Sequence, residues 1–398
     1  MIDSILSFLA NGLGHFSWVG IVIFTLVMVQ ITIASVTLYL HRSQTHQGVD
    51  LHPVVSHFFR FWLWLTSGMV TKEWVAIHRK HHAFCETKQD PHSPKIEGIG
   101  GVVLGGTELY QKASTKENLD RFGHGTPDDW VERNVYTGKR KWGVSSMLII
   151  DVLLFGGLGL CVWAIQMMWI PFWAAGMING TGHYKGYRNY ETKDWSTNLT
   201  PIAFWIGGEE LHNNHHAFPS SAKFSLKWWE FDIGWGYIKV LSLFGLAKVK
   251  KVAPRPKIDH AKNNIDIETL KSIILNRVHV MSSYAKQVIK PTAKSTRTEA
   301  AAPGFSWRRI KTLLSKEHEM MDEKSEEALN EVLGDDQTLK TVYNFRFQLQ
   351  QVWERAAASH ENLVQALKEW CHQAEETGIK VLQDFARSLR NYVPAQQS

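Results

Sequence analysis

The chain has 398 residues and a formal net charge of +6 at neutral pH. Its three cysteines, Cys85, Cys161 and Cys371, lie far apart, which excludes a four-cysteine iron–sulfur cluster and a disulfide framework. The modest charge fits a membrane protein with basic cytoplasmic loops better than a nucleic-acid-binding protein. Residues 1 to about 250 are rich in Trp, Phe, Leu and Ile, whereas the rest is polar and helix-forming. The composition therefore predicts two parts.

The first long apolar segment, residues 16–40, is uncharged and ends directly before His41. It is long enough to cross about 30 Å of hydrocarbon at ~1.5 Å per residue. The next apolar segment, about 53–70, contains His57 and Arg60. We predict that it lies at the membrane interface, because a spanning helix would separate the histidine clusters on either side of it.

Residues 144–184 contain no Lys or Arg and suit two short spans, about 144–163 and 166–182, with a turn near 165–171. Two spans return the polypeptide to its starting side. Basic residues are enriched in cytoplasmic loops, so the clusters and the C-terminus are predicted to face the cytoplasm and the N-terminus the outside. The residues that indicate this are Lys248, Lys250, Lys251, Arg255 and Lys257.

Three histidine clusters stand out: HRSQTH at 41–46, HRKHH at 78–82 and EELHNNHH at 209–216. On an α-helix, residues three and four apart lie on one face, so each H-x-x-H-H cluster is predicted to present three imidazoles together. His41 and His46 are five apart, and we expect His41 at a helix end and His46 beyond it. Asn179 and His183 are four apart, so they are predicted to face the same point.

Imidazole binds iron, zinc, copper or nickel. One zinc ion takes four ligands, so these nine histidines exceed what a single zinc site uses. We therefore predict that two metal ions share them. Five other histidines lack this patterning and are predicted to be structural or to support the ligands: His15, His52, His57, His92 and His124.

Around these residues the sequence resembles the membrane fatty acyl desaturases of the stearoyl-CoA desaturase type, in their bacterial branch. The resemblance covers roughly residues 16–250 and rests on the ordered segments HRSQTH, EWVAIHRKHHAFCETKQDPHSP, NGTGHYKGYRN, GEELHNNHHAFPSSAKFS and KWWEFDIGW. In that family nine histidines bind two irons, and an asparagine contacts one iron through water. Carried over by motif, the ligands are His41, His46, His78, His81, His82, His183, His212, His215 and His216, with Asn179 acting through water.

The resemblance implies an all-α fold, with integral membrane helices and a helical di-iron domain on the cytosolic side of a bacterial inner (cytoplasmic) membrane. It also implies an O2-dependent enzyme that introduces a cis double bond, at Δ9, into a saturated long-chain acyl-CoA. The sequence lacks a GxGxxG fingerprint, a four-cysteine motif and a His-Pro-Gly-Gly signature. The two electrons for each turnover are therefore expected from a separate ferredoxin or reductase-type donor, and no nucleic-acid partner is expected.

One departure from the animal acyl-CoA enzymes leaves the acyl carrier open. Positions that contact the CoA headgroup in those enzymes are Met69, Ala76 and Ile77 here, whereas Glu73 and Trp74 match. The alternatives are an acyl-lipid (phospholipid) desaturase and a related membrane di-iron hydroxylase of alkanes or lipids. A metal transporter is disfavoured, because its ionisable ligands would lie within the spans.

Carboxylates near the clusters are predicted to orient the imidazoles. Asp90 and Glu210 are favoured because they lie beside a cluster, and the other candidates are Glu73, Glu86, Asp194 and Glu209.

The acyl substrate needs a narrow blind tunnel. Counting back from His41 by helical turns of about 3.6 residues places Thr25, Val29 and Ile33 on one face. We predict that this face closes the tunnel, and that Trp74 also lines it.

The protein is predicted to divide into a membrane desaturase domain (1–258), a helical segment and linker (259–304, with the linker at 292–304) and a C-terminal helical extension (305–398). The extension carries an apolar stripe at helical spacing, which indicates a packing face between helices, with a docking face for an electron donor as the alternative. The stripe consists of Leu349, Val352, Trp353, Ala356, Leu363, Ala366, Leu367 and Trp370.

Overall fold

The computed structural model describes residues 2–299, 310, 313, 314, 321, 323–334, 336–354 and 359–394. The protein forms two compact units. Unit one comprises residues 1–188 and 194–253, and unit two comprises residues 189–193 and 254–398. The described part is predominantly helical, with three two-stranded sheets, which confirms the all-α prediction.

Unit one contains ten α-helices and three π-helical segments among its described residues. The α-helices are α1 (Ile2–Asn11), α2 (Trp18–Ala34), α3 (Pro53–Ser67), α4 (Thr71–Phe84), α5 (Ile99–Ala113), α6 (Lys116–Phe122), α7 (Arg140–Phe155), α8 (Leu158–Ile170), α9 (His212–Ala217) and α10 (Ile233–Leu243). The π-helical segments are Ser35–Thr45, Glu132–Thr137 and Pro171–Thr181.

Helix α2 begins at a capping serine and continues as a π-helix into the first histidine cluster. The Ser17 hydroxyl oxygen accepts a hydrogen bond from the Gly20 amide at 3.2 Å, which satisfies one of the free donors of the first turn. With its π-helical continuation, this helix runs from Trp18 to Thr45. It is one of two helices in the described residues that are long and apolar enough to span a membrane, the other being Leu158–Thr181.

The turn between the two later apolar helices lies at Gly156–Gly157, not near residues 165–171 as predicted. Gly156 has a φ of 63°, and a Cβ atom there would lie 2.3 Å from the Phe8 carbonyl oxygen. Only glycine accommodates both the left-handed backbone and this close approach. Pro171 does not end the helix, because it opens the π-helical segment Pro171–Thr181. The helices are therefore 140–155 and 158–181 instead of 144–163 and 166–182.

A buried ion pair ties the first histidine cluster to the region that carries the third. The Arg42 guanidinium donates two hydrogen bonds to the Asp232 carboxylate, at 3.0 and 2.9 Å, and further bonds to the carbonyl oxygens of Ala222 and Gly207. Both side chains are fully buried. A buried bidentate pair with its remaining donors satisfied fixes geometry strongly, because breaking it would leave an unpaired buried charge.

Two short sheets complete unit one. Strand β1 (Val49–Leu51) pairs antiparallel with β4 (Ala247–Val249), and β2 (Ile202–Ala203) pairs parallel with β3 (Phe231–Asp232). The β1–β4 sheet joins the segment after His46 to the end of the region that resembles the desaturases, residues 16–250.

Unit two has its own apolar core, built mainly from helices. These are α11 (Ile267–Leu275), α12 (Arg277–Tyr284) with its π-helical continuation Ala285–Ile289, α13 (Lys290–Glu299), α14 (Glu323–Leu333), α15 (Gln337–Glu354), α16 (His360–Glu376) and α17 (Lys380–Leu389). Strand β5 (Lys257–Ile258) pairs antiparallel with β6 (Tyr392–Val393).

The predicted stripe of the extension is a packing face. Leu349, Val352, Leu363, Leu367 and Trp370 are buried in the core of unit two, and Trp353 and Ala366 pack against it. Ala356 lies outside the described residues. The predicted linker, 292–304, is helical as far as Glu299, and its remaining positions lie outside the described residues.

Candidate metal centre

Five imidazoles of unit one bring their Nε2 atoms to one point. The His215 Nε2 atom lies 3.0 Å from that of His41 and 2.9 Å from that of His82. The His78 Nε2 atom lies 3.1 Å from those of both His82 and His46. We call these five residues the five-histidine group.

A second group forms beside it from the remaining predicted ligands. The His183 Nε2 atom lies 3.2 Å from that of His81 and 2.8 Å from that of His212. His216 joins them, with its ring centroid 4.8 Å from that of His183. We call His81, His183, His212 and His216 the four-histidine group. All nine predicted histidines thus belong to one of two adjacent groups.

The π-helical segment Ser35–Thr45 explains how His41 and His46 meet. In a π-helix the backbone bonds run from residue i to i+5, so residues five apart stack as residues four apart do in an α-helix. The His46 amide donates to the His41 carbonyl oxygen at 3.1 Å, which is a bond of this kind. His41 therefore lies within the helix rather than at its end, and His46 caps it.

Each H-x-x-H-H cluster divides its imidazoles between the two groups, which corrects the prediction that each presents three imidazoles together. On α4, His78 and His82 belong to the five-histidine group and His81 to the four-histidine group. On α9, His215 belongs to the first, whereas His212 and His216 belong to the second. The reason is that adjacent residues on a helix point about 100° apart, since one turn takes about 3.6 residues.

Four of the imidazoles have a carboxylate within hydrogen-bonding distance of the Nδ1 atom. The Nδ1 atoms of His41, His81, His183 and His216 lie 2.7–2.9 Å from carboxylate oxygens. When an imidazole donates its Nδ1 proton to a carboxylate, the lone pair of Nε2 is left for a metal ion, and the ring orientation is fixed. The carboxylates, in the same order, belong to Glu209, Asp90, Glu86 and Asp194.

Two of the predicted supporting carboxylates lie elsewhere. Glu210 accepts hydrogen bonds from the backbone amides of Trp205 and Ile206, and Glu209 is the neighbour that reaches an imidazole. Glu73 is paired with Arg140 at 3.1 Å.

Two further side chains lie near the four-histidine group: Cys85, which was not predicted to lie there, and His92, which was predicted to be structural or to support the ligands. The Cys85 sulfur lies 3.8 Å from His81 Nε2 and 3.7 Å from His183 Nδ1. The available signal was the position of Cys85, four residues after His81 and at the C-terminal cap of α4. Burial raises the pKa of this thiol well above its ordinary value, which favours the protonated form in the metal-free protein. The His92 ring stacks on that of His81 with the centroids 4.4 Å apart.

Burial also favours the neutral form of several of the predicted ligand imidazoles. It lowers the pKa values of His78, His82, His212 and His215 well below the ordinary value for histidine. It lowers the pKa of His216 to about 4. A neutral imidazole offers the lone pair that a metal ion requires.

The donor set fits two transition-metal ions. Two nitrogens that bind one metal at about 2.1 Å and at right angles lie about 3.0 Å apart, which matches the spacing of the Nε2 atoms. The Nε2 atom of His216 is buried without a hydrogen-bond partner in the described structure, as a metal-binding nitrogen would be. Asn179 lies half-buried in the π-helical segment Pro171–Thr181, four residues before His183.

Comparison with known proteins identifies the family. The fatty acid desaturase family model matches residues 16–240, which is more than half of the chain. The chain belongs to the fatty acid desaturase family. That family has an all-helical membrane fold and generally uses a di-iron centre. The two histidine groups of this desaturase could hold such a centre.

Its similar relatives act on different acyl carriers, according to their names. A probable chloroplastic lipid desaturase of Arabidopsis thaliana is 33% identical over 236 residues, which are 58% of this chain and 64% of the relative. An acyl-CoA 5-desaturase of Anemone leveillei is 34% identical over 226 residues, which are 54% of this chain and 67% of the relative. An sn-1 stearoyl-lipid 9-desaturase of Anabaena variabilis is 30% identical over 245 residues, which are 61% of this chain and 87% of the relative. The protein thus spans just under two thirds of the first of these relatives.

A second family model, described as a transposase, matches residues 269–395 of the desaturase, less than a third of its length. All described residues of this match belong to unit two.

The positions predicted for the acyl tunnel and headgroup are mostly buried. Thr25, Val29 and Ile33 lie on the buried face of α2. The Trp74 ring stacks on His78 with the centroids 4.8 Å apart, which places it beside the five-histidine group. Ala76 and Ile77 are buried on α4, so neither presents a polar group to a CoA headgroup.

Proposed function

We propose that this desaturase uses two irons and O2 to introduce a cis double bond at Δ9 of a saturated long-chain acyl-CoA. The observation that carries the proposal is the convergence of nine buried or half-buried imidazoles in two adjacent groups of five and four. Two electrons per turnover would come from a separate ferredoxin or reductase-type donor, because the sequence contains no motif for a redox cofactor of its own.

An alkyl C–H bond in the middle of a fatty acyl group has no acidity that a protein base could use. Two bound irons would supply the oxidant by activating O2, and the reaction removes one hydrogen from each of two adjacent carbons and yields water. The protein's part is to hold neutral imidazoles in fixed positions and to exclude bulk water. Four carboxylates would keep the imidazoles in position by fixing the rings from the Nδ1 side: Asp90, Glu86, Asp194 and Glu209.

The carboxylates are themselves held in place. Asp90 also accepts hydrogen bonds from the amides of Glu86 and His92, at 2.8 and 3.1 Å. Although burial alone would raise the pKa of Asp194, hydrogen bonds from His216 and Ser196 hold that pKa well below its ordinary range. Against the effect of burial, His81 likewise holds the pKa of Asp90 below its ordinary value, so both carboxylates stay ionised at neutral pH and keep accepting the imidazole protons.

The proposed double-bond position and the proposed acyl carrier are supported by the names of different relatives. The relative named a stearoyl-lipid 9-desaturase supports Δ9, and those named acyl-CoA desaturases support a CoA thioester. The substrate tunnel is proposed to run along Thr25, Val29 and Ile33, with Trp74 at the metal end.

The enzyme is proposed to lie in a bacterial inner membrane with the metal centre facing the cytoplasm, supported by the basic residues after residue 246 and by the two apolar helices. No nucleic-acid partner is proposed for the transposase-like region, because residues 254–398 contain nearly equal numbers of basic and acidic side chains.

The proposal is tested in a host that lacks unsaturated fatty acids. Expression should yield lipids with a cis double bond at Δ9, detected by gas chromatography, and His215→Ala, which removes one proposed ligand, should yield none. A hydroxylated product would instead identify a hydroxylase, and a double bond elsewhere would contradict Δ9.

The carrier is tested with purified protein and an added donor system. Stearoyl-CoA should be converted, whereas vesicles of distearoyl phospholipid should not. Conversion of the phospholipid alone would identify an acyl-lipid desaturase.

A further inference from the structure

A five-residue segment of the family-like region belongs to unit two rather than unit one. Residues 189–193 lie between the predicted ligands His183 and His212 in sequence, yet they cluster with residues 254–398. The backbone leaves unit one after Arg188 and returns to it at Asp194. Asp194 is the carboxylate that holds His216.

Among the described residues of unit two, three kinds of interaction hold this segment. Tyr190 is 1% exposed, and its ring meets that of His279 edge-to-face with the centroids 5.3 Å apart. The Asn189 carbonyl oxygen accepts a hydrogen bond from the Ser282 hydroxyl at 3.1 Å. The Lys193 ammonium lies 3.4 Å from the Glu354 carboxylate. The buried aromatic pair dominates, because the ion pair is exposed and worth little.

The residue directly after this segment is part of the metal centre. The Asp194 Oδ2 atom lies 2.8 Å from His216 Nδ1, and its Oδ1 atom accepts from the Ser196 amide at 2.9 Å. The Arg188 guanidinium donates to the carbonyl oxygens of Asp194 and Ser196, both at 2.9 Å. Asp194 is therefore positioned from its C-terminal side by unit one. On its N-terminal side, Asp194 is bonded directly to residues 189–193, which pack within unit two.

We propose that unit two is a positioning element for the metal centre, acting through residues 189–193 on Asp194 and so on the ring of His216. Tyr190 is the main positioning residue. This inference depends on the metal centre of the proposed function but not on the acyl substrate. It assigns unit two, which lies largely beyond the desaturase match, a role in metal retention. Carboxylates behind a ligand imidazole raise metal affinity by about 10- to 100-fold, which sets the size of the expected effect.

The test uses full-length protein loaded with iron and measures the rate at which a ferrous chelator removes it. Tyr190→Ala and Asp194→Asn should each speed iron loss about 10-fold. If Tyr190 acts through Asp194, the double variant should lose iron no faster than Asp194→Asn alone. Tyr190→Phe, which keeps the buried ring, should restore the original rate.

Glu268→Gln is the matched control, because it breaks an exposed ion pair with Lys271 elsewhere in unit two. It should leave iron loss unchanged. An unchanged rate in Tyr190→Ala, or effects of the two substitutions that multiply, would overturn the proposal.

A second variant controls for misfolding of Tyr190→Ala. Ser282→Ala combined with Lys193→Met removes the hydrogen bond and the ion pair while keeping the buried rings, and thermal unfolding should show it folded. It should still speed iron loss, by about 2-fold, chiefly because the hydrogen bond to the Asn189 carbonyl oxygen is lost. No change here would also overturn the proposal. Normal iron retention in a protein that forms no double bond would instead count against the proposed function alone.

Discussion

His81 and His82 are neighbours in sequence, yet their imidazoles belong to different groups of nitrogens. His82 lies with His78 and His46, whereas His81 lies with His183 and is backed by Asp90. The two side chains leave α4 about 100° apart, so a single helix supplies both groups. Substituting one of them should therefore affect one metal position more than the other.

This difference gives a prediction at the level of single ligands. We expect about two irons per molecule in the purified protein, and about one in either His81→Ala or His82→Ala, because each substitution opens one group and leaves the other complete. Both variants should lose all desaturation, since the proposed reaction uses both irons. Metal analysis together with Mössbauer spectra, which distinguish the two iron environments, would measure the result.

His57→Ala is a control for this experiment, because His57 belongs to neither group. It should retain two irons. A protein that binds one zinc and needs no iron, or identical spectra for the two variants, would contradict the two-group assignment.

For single residues, the sequence predicted which histidines come together better than it predicted which carboxylate each histidine contacts. The spacing H-x-x-H-H identified the ligands, because a helix brings residues three and four apart onto neighbouring positions. It did not reveal that Glu209 rather than Glu210 supports His41, since adjacent residues in a turn diverge according to backbone angles that spacing does not encode. Gly207 and Gly208, with φ values of 69° and 102°, set that turn.

Two π-helical segments shape the elements around the metal centre. The Ser35–Thr45 segment follows α2 and the Pro171–Thr181 segment follows α8. Each ends within two residues of a ligand or contains one, as is frequent for π-helical turns at functional sites. Apolar periodicity predicted the helices that carry them, but the extra residue per turn leaves no simple signature in composition. The pairing of His41 with His46 could therefore not be predicted from an α-helical model.

Helix α2 also carries the predicted end of the acyl tunnel. Thr25, Val29 and Ile33 are 7%, 3% and 2% exposed, so they form one buried stripe leading towards His41. Substituting Thr25 or Val29 with Trp should shorten the preferred acyl substrate while leaving the double-bond position, counted from the carboxyl end, unchanged. The reason is that the larger ring would fill the far end of the tunnel without moving the metals. Acyl-length profiles of the products would measure this.

Val27 offers a matched control on the opposite face of the same helix, where it is 47% exposed. Val27→Trp should keep the original acyl-length profile. If Thr25→Trp and Val29→Trp also keep it, this face of α2 does not close the tunnel.

For the whole molecule, the distances within the metal centre constrain how the polypeptide crosses the membrane. His46 precedes α3 and His78 follows it, yet their Nε2 atoms lie 3.1 Å apart. We therefore predict that both ends of α3 lie on the same side of the bilayer. Its 15 residues would extend about 22 Å, less than the ~30 Å hydrocarbon thickness. From the sequence alone, the placement of α3 at the interface depended on the assumption that the histidine clusters on either side of it share one site.

Labelling of single cysteines, introduced after replacement of the three native ones, would test this arrangement in intact cells. A cysteine at position 4 should react with an impermeant reagent from outside, because the proposed spans α2, α7 and α8 would place the N-terminus opposite the metal centre. A cysteine at position 116, in the charged insertion between α5 and α7, should react only after the membrane is opened. Positions 50 and 72, which flank α3, should behave alike and match position 116. Labelling of 50 and 72 from opposite sides would show that α3 spans the bilayer, and the nine histidines could then not share one centre.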